Sequence, residues 1–199
     1  MASRTSSALD AGRPPAKSDY AMQRLADAVI VPAGPSDAVD LARIHVTSWR
    51  ESYAGMLPAR FLDDMSVTRH ARRWSSQLLR LRPGEVVMAA EARDGLVGYC
   101  AGAAPEPGGG DRAEIFTLYL LRSAQGRGNG FQLFRSTARV LAAKGAGALE
   151  LWVLSENRRA QGFYHRLGGR PICERDVGAW SGGLKETLYR WDDIGALSV

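Results

Sequence analysis

Between the apolar run Ile115 to Leu121 and an amphipathic stretch that opens at Phe131 stand six residues, Gln125, Gly126, Arg127, Gly128, Asn129 and Gly130. A glycine-dense turn leading from a strand into a helix points several backbone N–H groups, and the positive end of the helix dipole, at one spot. That arrangement cradles a phosphate. Glycines at 126, 128 and 130 remove the Cβ atoms that would hold a bulky anion off the backbone, and Arg127 adds a permanent positive charge beside them. What the turn lacks narrows the ligand. No Gly-Lys-Ser/Thr follows, so the lysine and magnesium-binding hydroxyl of a nucleoside-triphosphate loop are missing. A dinucleotide fingerprint started at Gly126 and Gly128 needs a third small residue at 131 and meets Phe131.

Two further segments flank this turn in order. Downstream come Asn157, Ala160, Phe163 and Tyr164, then Leu167 and Gly168; upstream, Glu114 lies eleven residues before Gln125. From about Ile30 to Trp191 the chain resembles the GNAT superfamily of acyl-CoA-dependent N-acyltransferases. The turn matches its Gln/Arg-x-x-Gly-x-Gly/Ala element and the downstream segment its Asn-x-x-Ala-x-x-Phe-Tyr-x-x-x-Gly element. The resemblance implies acetyl-CoA as cosubstrate and no metal. It also implies that the amides of Gln125 to Gly130 take the coenzyme A pyrophosphate. The backbone of Leu118 and Leu120 would pair with the pantetheine arm as a neighbouring strand would, and the Asn157 side-chain amide would bond the same arm. Departures from the family pattern are Asn129 where an apolar residue is usual, Arg122 for a frequent proline, and Gly169 where phenylalanine commonly follows the Leu-Gly pair.

Acyl transfer from a thioester to an amine needs a neutral amine, a stabilised oxyanion and a proton for the departing thiolate. An alkylammonium loses its proton only near pH 10, so a carboxylate of raised pKa, or a water held by one, is the natural base. Glu114 sits at the start of an otherwise apolar strand, at the spacing where several family members keep that base; Glu150 in the next strand is the runner-up. Tyr164 resembles the family's general acid. A phenol, with pKa about 10, stays protonated at neutral pH and can still hydrogen-bond a thiolate whose own pKa is about 8.5. Asn157, at a helix start, is also a good N-cap. His45, Trp49 and Tyr53 fall in the region that lines the acceptor pocket of the superfamily. Their spacing of four is equally plain helix-face spacing. Trp49 is read as core packing, Tyr53 is left open, and His70 and His165 are assigned to the surface.

Positioning these groups requires a definite order of elements. Ala28 to Val31 reads as a strand; Ser36 or Asp37 caps a helix whose apolar residues Val39, Leu41, Ile44, Val46 and Trp49 share a face. Ser66 caps a second helix through Trp74 and Leu78. Val86 to Ala92 and Leu96 to Ala104 form a hairpin around Arg93-Asp94-Gly95. The strand Ala113 to Leu120, a helix from Gly128 to Lys144 and the strand Leu149 to Leu154 follow. A short helix Arg158 to Leu167 and strands Arg170 to Arg175 and Thr187 to Trp191 complete the chain. The order β-α-α-β-β-β-α-β-α-β-β predicts an α/β (α+β) fold with a mixed, mostly antiparallel central sheet and helices on both faces. In the GNAT fold that this order resembles, the fourth and fifth strands run parallel and splay apart, which opens the cofactor cleft.

Length and composition agree with this. A chain of 199 residues suits one domain, assigned to 25–195 as an N-acetyltransferase domain, with 1–24 as a disordered tail. With 45% hydrophobic and 24% charged residues it reads as a soluble globular protein, and no apolar run approaches the roughly 18 residues of a membrane span. Cys100 and Cys173 sit in strand-like stretches without metal-ligand spacing, so both are expected as buried free thiols in the cytoplasm. The net charge of +5 is scattered rather than blocked, which argues against nucleic acid and suits an anionic cofactor. The expected partner is an amine acceptor, with a homodimer left open; the alternative activity is a non-catalytic acyl-CoA-binding regulatory domain.

Overall fold

The computed structural model describes residues 28–178, 181 and 183–197. The expected tail, 1–24, lies outside the described residues. Seven strands form one sheet: β1 (Val29–Pro32), β2 (Glu85–Ala92), β3 (Gly95–Ala103), β4 (Arg112–Leu120), β5 (Ala148–Leu154), β6 (Arg170–Asp176) and β7 (Lys185–Trp191). Their spatial order is β1-β2-β3-β4-β5-β7-β6. Every neighbouring pair is antiparallel except β4 and β5, which are parallel. The helices are α1 (Ala38–Tyr53), α2 (Ala59–Asp63), α3 (Val67–Leu78), α4 (Asn129–Ala143) and α5 (Arg158–Arg166). The mixed sheet with helices on both faces stands as expected, and the short helix α2 is an addition to the expected order.

Alternation along the strands divides the interior into two layers. Val86, Met88 and Ala90 of β2 and Cys100 of β3 pack with Leu133, Phe134, Ala138 and Leu141 of α4. The intervening Val87, Ala89, Tyr99 and Ala101 pack with Leu41, Ile44, Trp74 and Leu78 of α1 and α3. A side-chain period of two on the strands thus serves both layers. Ser66 caps α3 as expected, its hydroxyl accepting the Arg69 amide at 3.3 Å. Asp37 does not cap α1 with its side chain; its carboxylate accepts the Gly34 amide at 2.8 Å. Val39, assigned to the buried face of α1, is 63% exposed.

Cys100 is buried and its thiol is pushed up to about 12, chiefly by that burial. Cys173 is exposed, against expectation, because every residue of β6 is exposed on this edge strand. The unusual Gly169 has a steric reason. A Cβ there would stand 2.5 Å from Cζ2 of Trp191, whose ring occupies the space and whose Nε1 donates to the Leu167 carbonyl at 2.8 Å. Gly169→Ala is therefore expected to cost about 1–3 kcal/mol by overpacking. Thermal unfolding should show Tm lowered by roughly 2–10 °C; an unchanged Tm would contradict this packing.

Candidate active site

The parallel pairing of β4 with β5 runs only from Arg112↔Ala148 to Ile115↔Leu151. Beyond it, 117–120 of β4 stay paired to β3 and 152–154 of β5 stay paired to β7, but not to each other. A bulge lies where the pairing stops: Gly102 faces Ile115 and Ala101 faces Thr117, leaving Phe116 unopposed on β3. Such an extra residue bends its strand and strengthens the local twist, which carries β4 away from β5. It also shifts the phase of the strand. Ala113 and Ile115 face α4 before the bulge, Leu118 and Leu120 after it.

The opening is a cavity of about 970 Å³ whose walls include Leu118 and Leu120 on one side and Trp152 and Leu154 on the other. The turn before α4 closes one end. Gly126 (φ +76°) and Gly128 (φ +81°) occupy the left-handed region that side-chain-bearing residues avoid, and Gly128 is the N-cap of α4. Alternating backbone of this kind turns successive N–H groups inward as an anion nest. The amides of Gly126, Gly128 and Gly130 donate to no acceptor among the described residues. The Gln125 side chain donates to the Leu120 carbonyl at 2.9 Å, which ties the turn to the end of β4. Asn129 is fully buried and its side chain works as a brace: Oδ1 accepts the Ala28 amide at 3.2 Å and Nδ2 donates to the Ala124 carbonyl at 3.0 Å. That explains a polar residue where an apolar one is usual. Arg127 is exposed beside the nest, whereas Arg122, Arg158, Arg159 and Arg166 line the cavity itself.

Across the cavity, Asn157 caps α5, its Oδ1 accepting the Ala160 amide at 3.1 Å. Its Nδ2 has no partner among the described residues and the residue lines the cavity. Tyr164 packs among Phe134, Phe163, Tyr189 and Trp191 with ring centroids 5.4–6.3 Å away. Its hydroxyl makes no hydrogen bond among the described residues. Burial first, then Cys100 and Tyr53, drive its pKa upward. The phenol therefore stays protonated at neutral pH.

The carboxylates divide less simply. Glu114 is exposed and opposite Glu150 in register; it does not line the cavity. Its pKa is nonetheless raised, by partial burial first, with Glu150 and Glu186 adding to the rise and Arg175 opposing it. Glu150 is held by Arg190, with Nε at 2.7 Å, and by Arg112 at 3.3 Å. Glu186, which reasoning from sequence did not single out, lines the cavity and pairs with Arg175 at 2.5 Å.

Trp49 is not core packing: it lines the large cavity together with Tyr53 and also a second one, and its buried Nε1 reaches hydrogen-bond geometry with none of the described residues. His165 is exposed as expected, but His70 is half-buried and its ring centroid lies 4.7 Å from that of His45. His45 shares a 2.7 Å hydrogen bond with the Tyr99 hydroxyl. Its pKa is pushed down to about 4, by burial first, then by His70 and Arg73. So weak a base cannot hold a proton taken from an alkylammonium. An unfolded chain binds the His45 proton near pH 6.5, so the stability linked to neutral His45 is whole above that pH and is lost as pH falls toward about 4. Urea unfolding should show the wild type losing on the order of 3 kcal/mol more than His45→Gln between pH 7 and pH 4. Parallel pH dependences would contradict a neutral His45.

The sequence profile described as "Acetyltransferase (GNAT) family" matches residues 45–169. The curated protein "Uncharacterized N-acetyltransferase YuaI" of Bacillus subtilis is 26% identical over 164 residues, covering 82% of this chain and 92% of that one. Among solved structures, the PaiA N-acetyltransferase of Thermoplasma acidophilum in complex with coenzyme A superposes with a TM-score of 0.68 at 17% identity. The match covers 82% of this chain and 97% of that one. YncA of Salmonella typhimurium, solved with its cofactor acetyl-CoA, has a TM-score of 0.63 at 17% identity, covering 83% and 94%.

Proposed function

The chain belongs to the acetyltransferase (GNAT) family, and from that premise we propose that it passes the acetyl group of acetyl-CoA directly to a primary amine of a small molecule or protein. One domain, 25–195, carries the activity in this reading. The observation that supports it most is the one-sided opening between β4 and β5, with unbonded amides of Gly126, Gly128 and Gly130 at its mouth. A cavity of about 970 Å³ with arginines on its wall fits a long, anionic ligand. When bound, acetyl-CoA supplies an activated thioester.

Each group of the chain then has a physical task. The nest before α4 holds the pyrophosphate, because main-chain donors and the dipole of α4 meet a double negative charge there. The free edge of β4 at Leu118 and Leu120, with Nδ2 of Asn157, aligns the pantetheine amides as β-augmentation would. Tyr164 donates its hydroxyl hydrogen to the leaving sulfur. Its raised pKa is no obstacle, since a thiolate formed in the same buried environment is raised as well. Glu114 draws the ammonium proton away through water, because the carboxylate stands outside the cavity and its proton affinity is raised.

The test is a panel of amines with acetyl-CoA, followed by release of free thiol. Turnover with at least one amine is expected, and Glu114→Gln should lower kcat/KM roughly 10- to 100-fold and remove the acid limb of its pH profile. Coenzyme A binding with no thiol release from any amine would favour a regulatory acyl-CoA-binding domain instead. Unchanged activity in Glu114→Gln would move the base to another group.

A further inference from the structure

A second cavity, of about 620 Å³, lies between α1, α3 and the bulge of β4, and shares Trp49, Phe116 and Thr117 with the large cleft. Its two ends differ in chemistry. Where it meets the cleft, Trp49 stacks on His45 with centroids 5.3 Å apart and lies 6.0 Å from Phe61. The Thr117 hydroxyl is buried there beside the Tyr99 hydroxyl, yet short of hydrogen-bond geometry, and has no other partner among the described residues. The far end carries Arg69, His70 and Arg73 against a single carboxylate, Asp64.

These cations are not equally available. Arg69 donates to the Asp64 carbonyl at 2.6 Å, and His70 Nδ1 donates to the Ser66 carbonyl at 2.9 Å. Arg73 makes no hydrogen bond or ion pair among the described residues, although its charge reaches His45. A guanidinium left unpaired at the end of an aromatic-walled cavity suits a planar oxyanion, which it can bond with two parallel N–H groups. The neutral His45 between the two ends adds no competing charge.

We propose that this second cavity is the acceptor site, and that it selects amines bearing an oxyanion, in the simplest case a carboxylate, held by Arg73 while the amine passes Thr117 toward the cleft. The proposal rests on the transferase reading above. It commits the acceptor to an amino-acid-like class: an ammonium, an apolar or flat body to lie along Trp49 and Phe61, and an acidic end.

Matched acceptors test it with the full chain and acetyl-CoA: a set of amino acids, each beside its carboxamide, followed by thiol release. Wild-type kcat/KM should favour the acid over its amide roughly 10- to 100-fold, the worth of a charge-assisted pair. Arg73→Ala should collapse that ratio to near unity and Arg73→Lys restore part of it. Arg72→Ala, on the same helix and outside the cavity, should keep the ratio. Unfolding curves that overlay the wild type separate a lost contact from a lost fold. Amines accepted without preference for the acid, or a ratio that survives in Arg73→Ala, would overturn the inference and leave the transferase reading standing. No turnover with any amine would overturn both.

Discussion

The Tyr164→Phe enzyme is expected to turn over about 10²- to 10⁴-fold more slowly than the wild type, the usual worth of a general acid, while binding coenzyme A nearly as well. The expectation follows from where the hydroxyl is and from what it does not do. Tyr164 is only 7% exposed and its ring is fixed by four aromatic neighbours, so the phenylalanine ring should occupy the same place. The hydroxyl bonds no group among the described residues, so no structural hydrogen bond goes with it. Stability should therefore stay unchanged or rise slightly. A loss confined to kcat marks an interaction made only as the sulfur departs. Full turnover in Tyr164→Phe would remove the proposed acid, whereas a fall in kcat accompanied by a lower Tm would point to packing.

Gly128→Val should have the second largest effect, and on a different quantity. At φ +81° a β-branched side chain is strained by about 1–3 kcal/mol, and relief of that strain turns the amides of the nest away from their common focus. The Kd for acetyl-CoA should rise roughly 10- to 100-fold, since each charge-assisted bond to phosphate is worth about 1.5–3 kcal/mol. Acetyl-pantetheine, which lacks the pyrophosphate, provides the control. The wild type should bind it much more weakly than acetyl-CoA, and Gly128→Val should bind the two almost alike. An equal loss for both ligands would show that the substitution had damaged the cleft rather than the phosphate site.

Features carried by local backbone rules were legible in the sequence. The spacing of Phe131, Leu133, Phe134, Ala138 and Leu141 gives one buried face of α4. Arg93-Asp94-Gly95 marks the hairpin whose strands end at Ala92 and begin at Gly95. The glycines at 126, 128 and 130 mark the turn by leaving room for an anion; that 126 and 128 also take positive φ is added by the fold. The bulge at Phe116 leaves a trace in the sequence: apolar positions slip from 113 and 115 to 118 and 120, which a strand of strict period two cannot do.

What depends on distant partners was not legible. Trp49 was assigned to the core from helix-face spacing, but β4 and α3 enclose it only in part and leave two cavities beside it. His70 is assigned to the surface because no metal-ligand motif accompanies it; in the fold the ring of His45 of α1 packs on it. Cys173 is expected buried because it sits in an apolar, strand-like stretch, yet every residue of the edge strand β6 is exposed. Asn129 and Gly169 stood out only as departures from a family pattern. Their reasons lie in the Ala28 amide and the Trp191 ring, far away along the chain.

The most direct test of the whole account is a crystal structure of this chain with coenzyme A. Pyrophosphate oxygens are expected within about 3 Å of the amides at 126, 128 and 130, and the sulfur beside the Tyr164 hydroxyl in the gap between β4 and β5. A coenzyme bound elsewhere, or one that leaves those amides facing solvent, would contradict it.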